Sequence, residues 1–140
     1  MIHTQQGDDY IASGILSETL LHEGCHTSID PDYTYDATWQ QAQDDDGNFI
    51  STYGRDNPDR EDLAESILMW FAYRHRQDVL TADEISNIET YMPNRLLFFD
   101  TLELNLWPLE GENIGAIRNL SFMALSTVLV TGLVYLDHLF

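Results

Sequence analysis

Apolar residues recur every three or four positions along much of this chain, a spacing that is typical of amphipathic helices. One helix is predicted from Ser13 to Ile29. A second is predicted from Pro58 to about Arg76, because Asn57 is a preferred N-cap residue and proline suits the first helical position. The stripe at helical spacing on this second helix is formed by Leu63, Ile67, Trp70, Phe71 and Arg74, and its aromatic residues are expected to be core. The pattern therefore predicts a fold that is mainly α.

Shorter elements are predicted around these two helices. One short helix is expected at Trp39–Gln43. Thr81 and Glu84 have the spacing of a capping box, which predicts the start of another helix. Pro93 is expected to break that helix, and a short turn or helix should follow over Asn94–Leu102.

An acidic run, Asp44-Asp45-Asp46-Gly47-Asn48, resembles the start of a calcium-binding loop. It fails the EF-hand pattern, because the glycine comes too early and no glutamate occupies the twelfth position. Turn-forming residues are concentrated here, so the run is predicted to be a hydrated turn.

The C-terminal part of the chain differs from the rest. Residues 119–136 form a stretch of 18 residues without a charge, a length at the lower limit for a membrane span. A buried or docked helix is the alternative. We therefore divide the 140 residues into a domain at 1–110 and an apolar helix or membrane-anchor segment at 111–140.

The charge balance excludes one class of partner. The chain has 24 acidic residues against six basic ones, all of them arginine, and a formal net charge of −18. Nucleic-acid binding needs a basic surface, which this composition cannot supply. The single cysteine, Cys25, allows no internal disulfide, and its position on the first helix predicts a core residue.

The first predicted helix contains His22-Glu23-Gly24-Cys25-His26, the pattern HExxH. Residues four apart lie one turn apart on the same helical face, so both imidazoles can reach one zinc ion. Glu23 then lies beside the ligands, where its carboxylate can act as a base towards water. The alternative is two surface histidines on an amphipathic helix.

Carboxylates near the second helix could complete such a site. Glu61 could supply a third zinc ligand, and Glu65 and Asp30 could accept hydrogen bonds from the ligating imidazoles. The alternative for the glutamates is an acidic, solvated start of a helix. Tyr53, on a turn that ends in glycine, could stabilise an oxyanion, although an ordinary loop tyrosine is the alternative.

This combination resembles the gluzincin metallopeptidases, and in particular the catalytic-domain family of anthrax toxin lethal factor and its bacterial relatives. The resemblance is carried by Leu21–Asp30, Ser51–Asn57 and Glu61–Glu65. It implies the following roles: zinc ligands His22, His26 and Glu61, base Glu23, oxyanion donor Tyr53, and a supporting carboxylate at Glu65. It also implies an α+β zincin-like domain built on an active-site helix and a glutamate helix. The sheet that should precede them is largely absent or truncated, with Met1–Thr4 as the end of one strand at most.

The sequence thus predicts a zinc metalloendopeptidase that acts on a peptide or protein substrate and has no cofactor besides Zn²⁺. Secretion or membrane association through residues 119–136 is favoured over a cytoplasmic location. The alternatives are a catalytically inactive zinc-binding domain and a membrane-tethered interaction domain.

Overall fold

The computed structural model describes residues 4–105 of the chain. Within this range 76% of the residues are helical and no strand is present, which confirms the mainly α fold. Thr4 begins a helix instead of ending a strand, and the following glutamines and aspartates are poor strand formers. Met1–His3 and the predicted segment 111–140 lie outside the described residues.

Eight α-helices and one 3-10 turn (Gln77–Val79) make up the described part of the chain. The helices are α1 (Thr4–Ser13), α2 (Leu16–Ser28), α3 (Asp30–Tyr33), α4 (Ala37–Asp46), α5 (Thr52–Asp56), α6 (Asp62–His75), α7 (Ala82–Tyr91) and α8 (Pro93–Thr101). None of the described helices is long and apolar enough to cross a membrane.

Helix α6 is the centre of the fold. Its residues from Asp62 to Ala72 are all buried, so it is enclosed on every side instead of along one stripe. Helices α2, α5, α7 and α8 pack against it, and α4 packs against α8. Trp70 and Phe71 are buried as predicted, together with Leu63 and Ile67, whereas Arg74 is exposed.

An aromatic cluster joins α4 to α8. Trp39 is only 1% exposed, and its ring centroid lies 5.2 Å from that of Phe98 and 5.5 Å from that of Phe99. These tilted and edge-on contacts favour close packing of large apolar side chains. They hold the beginning of α4 against the end of α8.

The start of the glutamate helix was predicted wrongly. The carbonyl of Asn57 accepts hydrogen bonds from the backbone N–H groups of Arg60 (3.0 Å) and Glu61 (2.9 Å), so Asn57 begins a turn. It is the C-cap residue of α5 and not the N-cap of α6. Helix α6 begins at Asp62, and Glu61 occupies its N-cap position without a side-chain capping bond. Tyr53 lies on a short helix, α5, where a turn that ends in glycine was predicted.

Three further predictions, for the acidic run, the capping box and Pro93, have different outcomes. Helix α4 continues to Asp46 and ends at Gly47, whose φ of 59° is the left-handed conformation common after helices. The side chain of Asp46 is fully buried against Arg95, so the predicted hydrated turn is wrong at this position. The capping box of Thr81 and Glu84 is confirmed, with both of its hydrogen bonds present. Pro93 begins α8 directly after α7, as the pattern required.

Candidate metal centre

Helix α2 carries the HExxH motif. It starts later than predicted, because Gly14, with φ of 79°, separates it from α1. His22 and His26 are one turn apart, and their rings meet edge to face at an interplanar angle of 86°. Their Nε2 atoms are 3.1 Å apart. Both imidazoles therefore direct the same nitrogen towards one point.

Glu61 reaches that point from the beginning of α6. Its Oε2 atom lies 3.4 Å from Nε2 of His22 and 3.3 Å from Nε2 of His26. The glutamate is 3% exposed, and His22 is 6% exposed. The packing of α2 against α6 thus brings together two imidazoles and one carboxylate from separate parts of the sequence.

The spacing of these three ligand atoms fits a zinc ion. Zinc bonds of about 2.0–2.1 Å at tetrahedral angles place neighbouring ligand atoms roughly 3.3 Å apart. The three separations here are 3.1, 3.3 and 3.4 Å. Among the described residues, this is the group of histidine and carboxylate side chains that could hold a metal ion.

Two further carboxylates contact the outer nitrogens of the imidazoles. Nδ1 of His22 is 3.3 Å from Oε1 of Glu65, and Nδ1 of His26 is 2.5 Å from Oδ2 of Asp30. A carboxylate accepts hydrogen bonds, so each Nδ1 carries the hydrogen and each neutral ring keeps its lone pair on Nε2. Both lone pairs then point towards the position of the metal ion, which Oε2 of Glu61 also faces.

The electrostatics of the site favour an added positive charge. Burial lowers the pKa of His22, but hydrogen bonds to Glu61 and Glu65 outweigh it and raise the pKa to about 9. Hydrogen bonds to Asp30 and Glu61 raise the pKa of His26 to about 10. Two protonated rings would direct their Nε2 hydrogens at each other across 3.1 Å. A divalent cation would balance the negative charge of the carboxylates without placing two hydrogens against each other.

Glu61 is held in its charged form. Burial raises the pKa of this carboxyl, but hydrogen bonds from His22 and His26 outweigh burial and keep the pKa well below its ordinary value. Tyr53 also hydrogen-bonds this carboxylate. Burial and that bond raise the pKa of Tyr53 to about 12, so the tyrosine keeps its proton at neutral pH.

Glu23 lies beside a cavity that opens next to the ligands. The cavity has a volume of about 520 Å³, and its lining includes Glu23, His26 and Glu61. Glu23 is half-buried. A molecule in this cavity could therefore contact both the ligand cluster and a carboxylate outside it.

Cys25 is a core residue, as predicted. It is 2% exposed, and its Sγ atom lies 3.5 Å from Oδ1 of Asp30. Burial and the nearby Asp30 carboxylate raise the pKa of its thiol, which disfavours the thiolate that a metal ligand needs.

The structure brings all seven predicted site residues to this region, and it adds others that the sequence analysis missed. Tyr35, Asp59 and Arg60 also line the cavity. Arg60 could have been predicted as a cavity residue, because it directly precedes Glu61 in the sequence. The chain pattern contained no signal for Tyr35, because α3 and the following turn bring it to the cavity.

No family model, curated protein or solved structure was found to match this chain.

Proposed function

We propose that this chain is a zinc-dependent metallopeptidase that hydrolyses peptide bonds, in the manner of the gluzincins that its motifs resemble. The supporting observation is the set of separations, 3.1 to 3.4 Å, among Nε2 of His22, Nε2 of His26 and Oε2 of Glu61. Three protein ligands leave a fourth position open, which is the arrangement of catalytic zinc. A bound zinc ion would supply Lewis acidity that polarises a peptide carbonyl and lowers the pKa of a water molecule.

Glu23 is the residue that would transfer the proton. It lines the cavity together with the ligands His26 and Glu61. From there a carboxylate oxygen of Glu23 would accept a proton from the attacking water and then donate it to the leaving amine.

Tyr53 would stabilise the oxyanion that forms on the attacked carbonyl. Its hydroxyl now hydrogen-bonds Glu61, and its raised pKa keeps the proton available for donation. Because one hydroxyl hydrogen serves one acceptor well at a time, the hydroxyl would turn from Glu61 towards the oxyanion during the reaction.

The metal is tested first, by the zinc content of the purified full chain measured with elemental mass spectrometry. We expect about one zinc ion per chain, lost or sharply reduced in Glu61→Ala, since three ligands define the site. Glu89→Ala removes an exposed glutamate outside the site and serves as the control. A wild-type chain without zinc would refute the proposed metal centre.

Catalysis is tested with Glu23→Gln and a peptide library. The variant keeps the shape of the side chain and all three ligands, so we expect it to retain zinc and lose hydrolysis. An active Glu23→Gln variant would show that another group moves the proton.

A second candidate function is that of a structural zinc site, which stabilises the fold without catalysis. It is favoured by the absence of strands in residues 4–105, because the resemblance implies a sheet that helps to bind substrate. The ligands would then serve to join α2 to α6. Zinc that raises the unfolding temperature of the wild-type chain, with no peptide cleaved, would support this function over catalysis.

We also propose secretion or membrane association, which rests on the apolar composition of residues 119–136. Expression of the full chain followed by separation of medium, soluble lysate and membranes tests this location. Recovery in the soluble lysate alone would refute it.

A further inference from the structure

A buried ion-pair network lies directly behind the metal-ligand glutamate. Its centre is Arg95 on α8, which is 0% exposed. Nη1 of Arg95 donates to both carboxylate oxygens of Asp62, at 2.7 and 2.9 Å, and Nε donates to Oδ2 of Asp46 at 2.9 Å. Nη2 donates to the backbone carbonyls of Tyr91 and Asn48. Every nitrogen of this guanidinium therefore has an acceptor.

The network joins three helix ends. Asp46 is the last residue of α4, Asp62 is the first of α6, and Arg95 lies in the first turn of α8. Oδ1 of Asp46 also accepts hydrogen bonds from the backbone and side-chain nitrogens of Asn94, at 2.8 and 2.9 Å. Nε2 of Gln43 donates to Oδ2 of Asp62 at 2.9 Å. Asp62 is thus held from two other helices at once.

Burial of one cation with two carboxylates costs desolvation free energy, and apolar side chains of similar volume often stabilise a fold as well or better. The network is therefore better explained by the orientation that it gives to Asp62 and its neighbour Glu61 than by the stability of the fold alone. Asp62 directly follows Glu61, and the chain has no side-chain cap at this helix end. The position of the Glu61 backbone depends on the turn before it and on Asp62 after it.

A second contact converges on the same residue. A Cβ atom added to Gly54 would lie 3.2 Å from Cα of Asp62 and 3.1 Å from its Oδ1 atom. Helix α5 therefore packs its backbone closely against Asp62, and α5 carries Tyr53. The residue that Arg95 holds is the one on which both Glu61 and Tyr53 depend for their location.

We propose that Arg95 is a positioning residue for the metal centre: by holding Asp62 against Asp46, it fixes the Glu61 carboxylate opposite His22 and His26. This inference rests on the proposed zinc function. Metal sites require ligand atoms within a few tenths of an ångström, so a small displacement at Asp62 is transmitted to the ligand next to it.

The test compares zinc affinity in three variants of the full chain. Arg95→Lys keeps the charge but cannot donate to Asp46 and Asp62 in the same planar geometry. Asp62→Asn keeps the shape and removes the ion pair. Gly54→Ala leaves all charges unchanged and displaces α5 from Asp62. Zinc dissociation constants are measured by competition with a chromophoric chelator, below the temperature at which each variant begins to unfold.

We expect zinc affinity to weaken by about 10-fold to 100-fold in each variant, the range typical for loss of groups that orient metal ligands. The matched control is Arg74→Lys. Arg74 also joins α6 to α8, through Asp100 with separations of 3.0 and 2.6 Å, but it does so at the opposite end of α6. This control should keep wild-type zinc affinity even if its unfolding temperature falls.

The possible outcomes separate the two proposals. A wild-type chain that binds no zinc refutes the metal centre itself. A wild-type chain that binds zinc, together with folded variants of unchanged affinity, overturns only the positioning role of Arg95. If Arg95→Lys does not fold, Asp62→Asn and Gly54→Ala decide the question by the same measurement.

Discussion

Glu18 on α2 has a buried carboxyl group. The residue is 6% exposed, and its Oε1 atom has no hydrogen-bond partner. Burial without compensation disfavours the charged form and raises the pKa from 4.5 to about 7. The charge of Glu18 at neutral pH is therefore a cost that the folded state bears and the unfolded state does not.

The size of that cost follows from the two pKa values. One pKa unit corresponds to about 1.4 kcal/mol, so the difference between 4.5 and about 7 corresponds to about 3 kcal/mol. The folded-state pKa is the higher one. The free energy of unfolding is therefore not reduced by Glu18 below pH 4.5, where the carboxyl is neutral in both states. It falls as the pH rises through about 7, where the buried carboxyl must ionise.

We predict that Glu18→Gln, which has the same shape and no charge, stabilises the chain by about 2–3 kcal/mol at about pH 8. Near pH 4 the variant and the wild type should be nearly equal, since both side chains are then neutral. The assay is urea unfolding at several pH values in the presence of a chelator, so that metal binding does not contribute.

Asp8→Asn is the control for Glu18→Gln, because it removes one negative charge from an exposed position on the neighbouring helix. It corrects for the general repulsion of a chain with net charge −18. A stability difference for Glu18→Gln that does not change between about pH 4 and 8 would refute the reasoning. So would a difference no larger than that of the control.

Three other predictions follow from local contacts. Gly24→Ala should stabilise α2 by up to about 1 kcal/mol, because an added Cβ meets no atom within 4 Å; thermal unfolding checks this, and destabilisation would contradict it. Thr81→Ala should cost about 1 kcal/mol of unfolding free energy by removing the capping box of α7, whereas an unchanged urea midpoint would show that the cap is unimportant. Asp30→Ala should weaken zinc binding about 10-fold to 100-fold by releasing Nδ1 of His26, with exposed Asp32→Ala as the control; equal affinities would exclude this role.

Features that depend on nearby residues could be predicted from the sequence. The helical spacing of His22 and His26 places both imidazoles on one face, and the structure has them there. The capping box of Thr81 and Glu84 is also local, since both of its hydrogen bonds span three residues. Short-range patterns of this kind predict geometry reliably, because a helix fixes the relative positions of residues one turn apart.

The tertiary structure decided where the second helix begins. Asn57 and Pro58 form a strong local start signal, yet Asn57 begins a turn and α6 starts at Asp62. Hydrogen bonds from Arg95 and Gln43 to Asp62 form between distant parts of the chain and hold the helix end there. Breaking a buried ion pair that is already formed costs several kcal/mol, about 3–5, so a local capping preference of about 1 kcal/mol does not move the start of the helix.

The sequence by itself determined that this chain is mainly helical and that two histidines share a helix face. The motif pattern also pointed to Glu61 as their partner. Only the tertiary structure decided that the side chain of Asp46 is buried and that Arg95 joins two carboxylates. Asp46 and Arg95 are 49 residues apart, and nothing in the local pattern of either one specifies the other. Contacts of this kind depend on which helices pack together, and that is settled by the summed burial of the whole core.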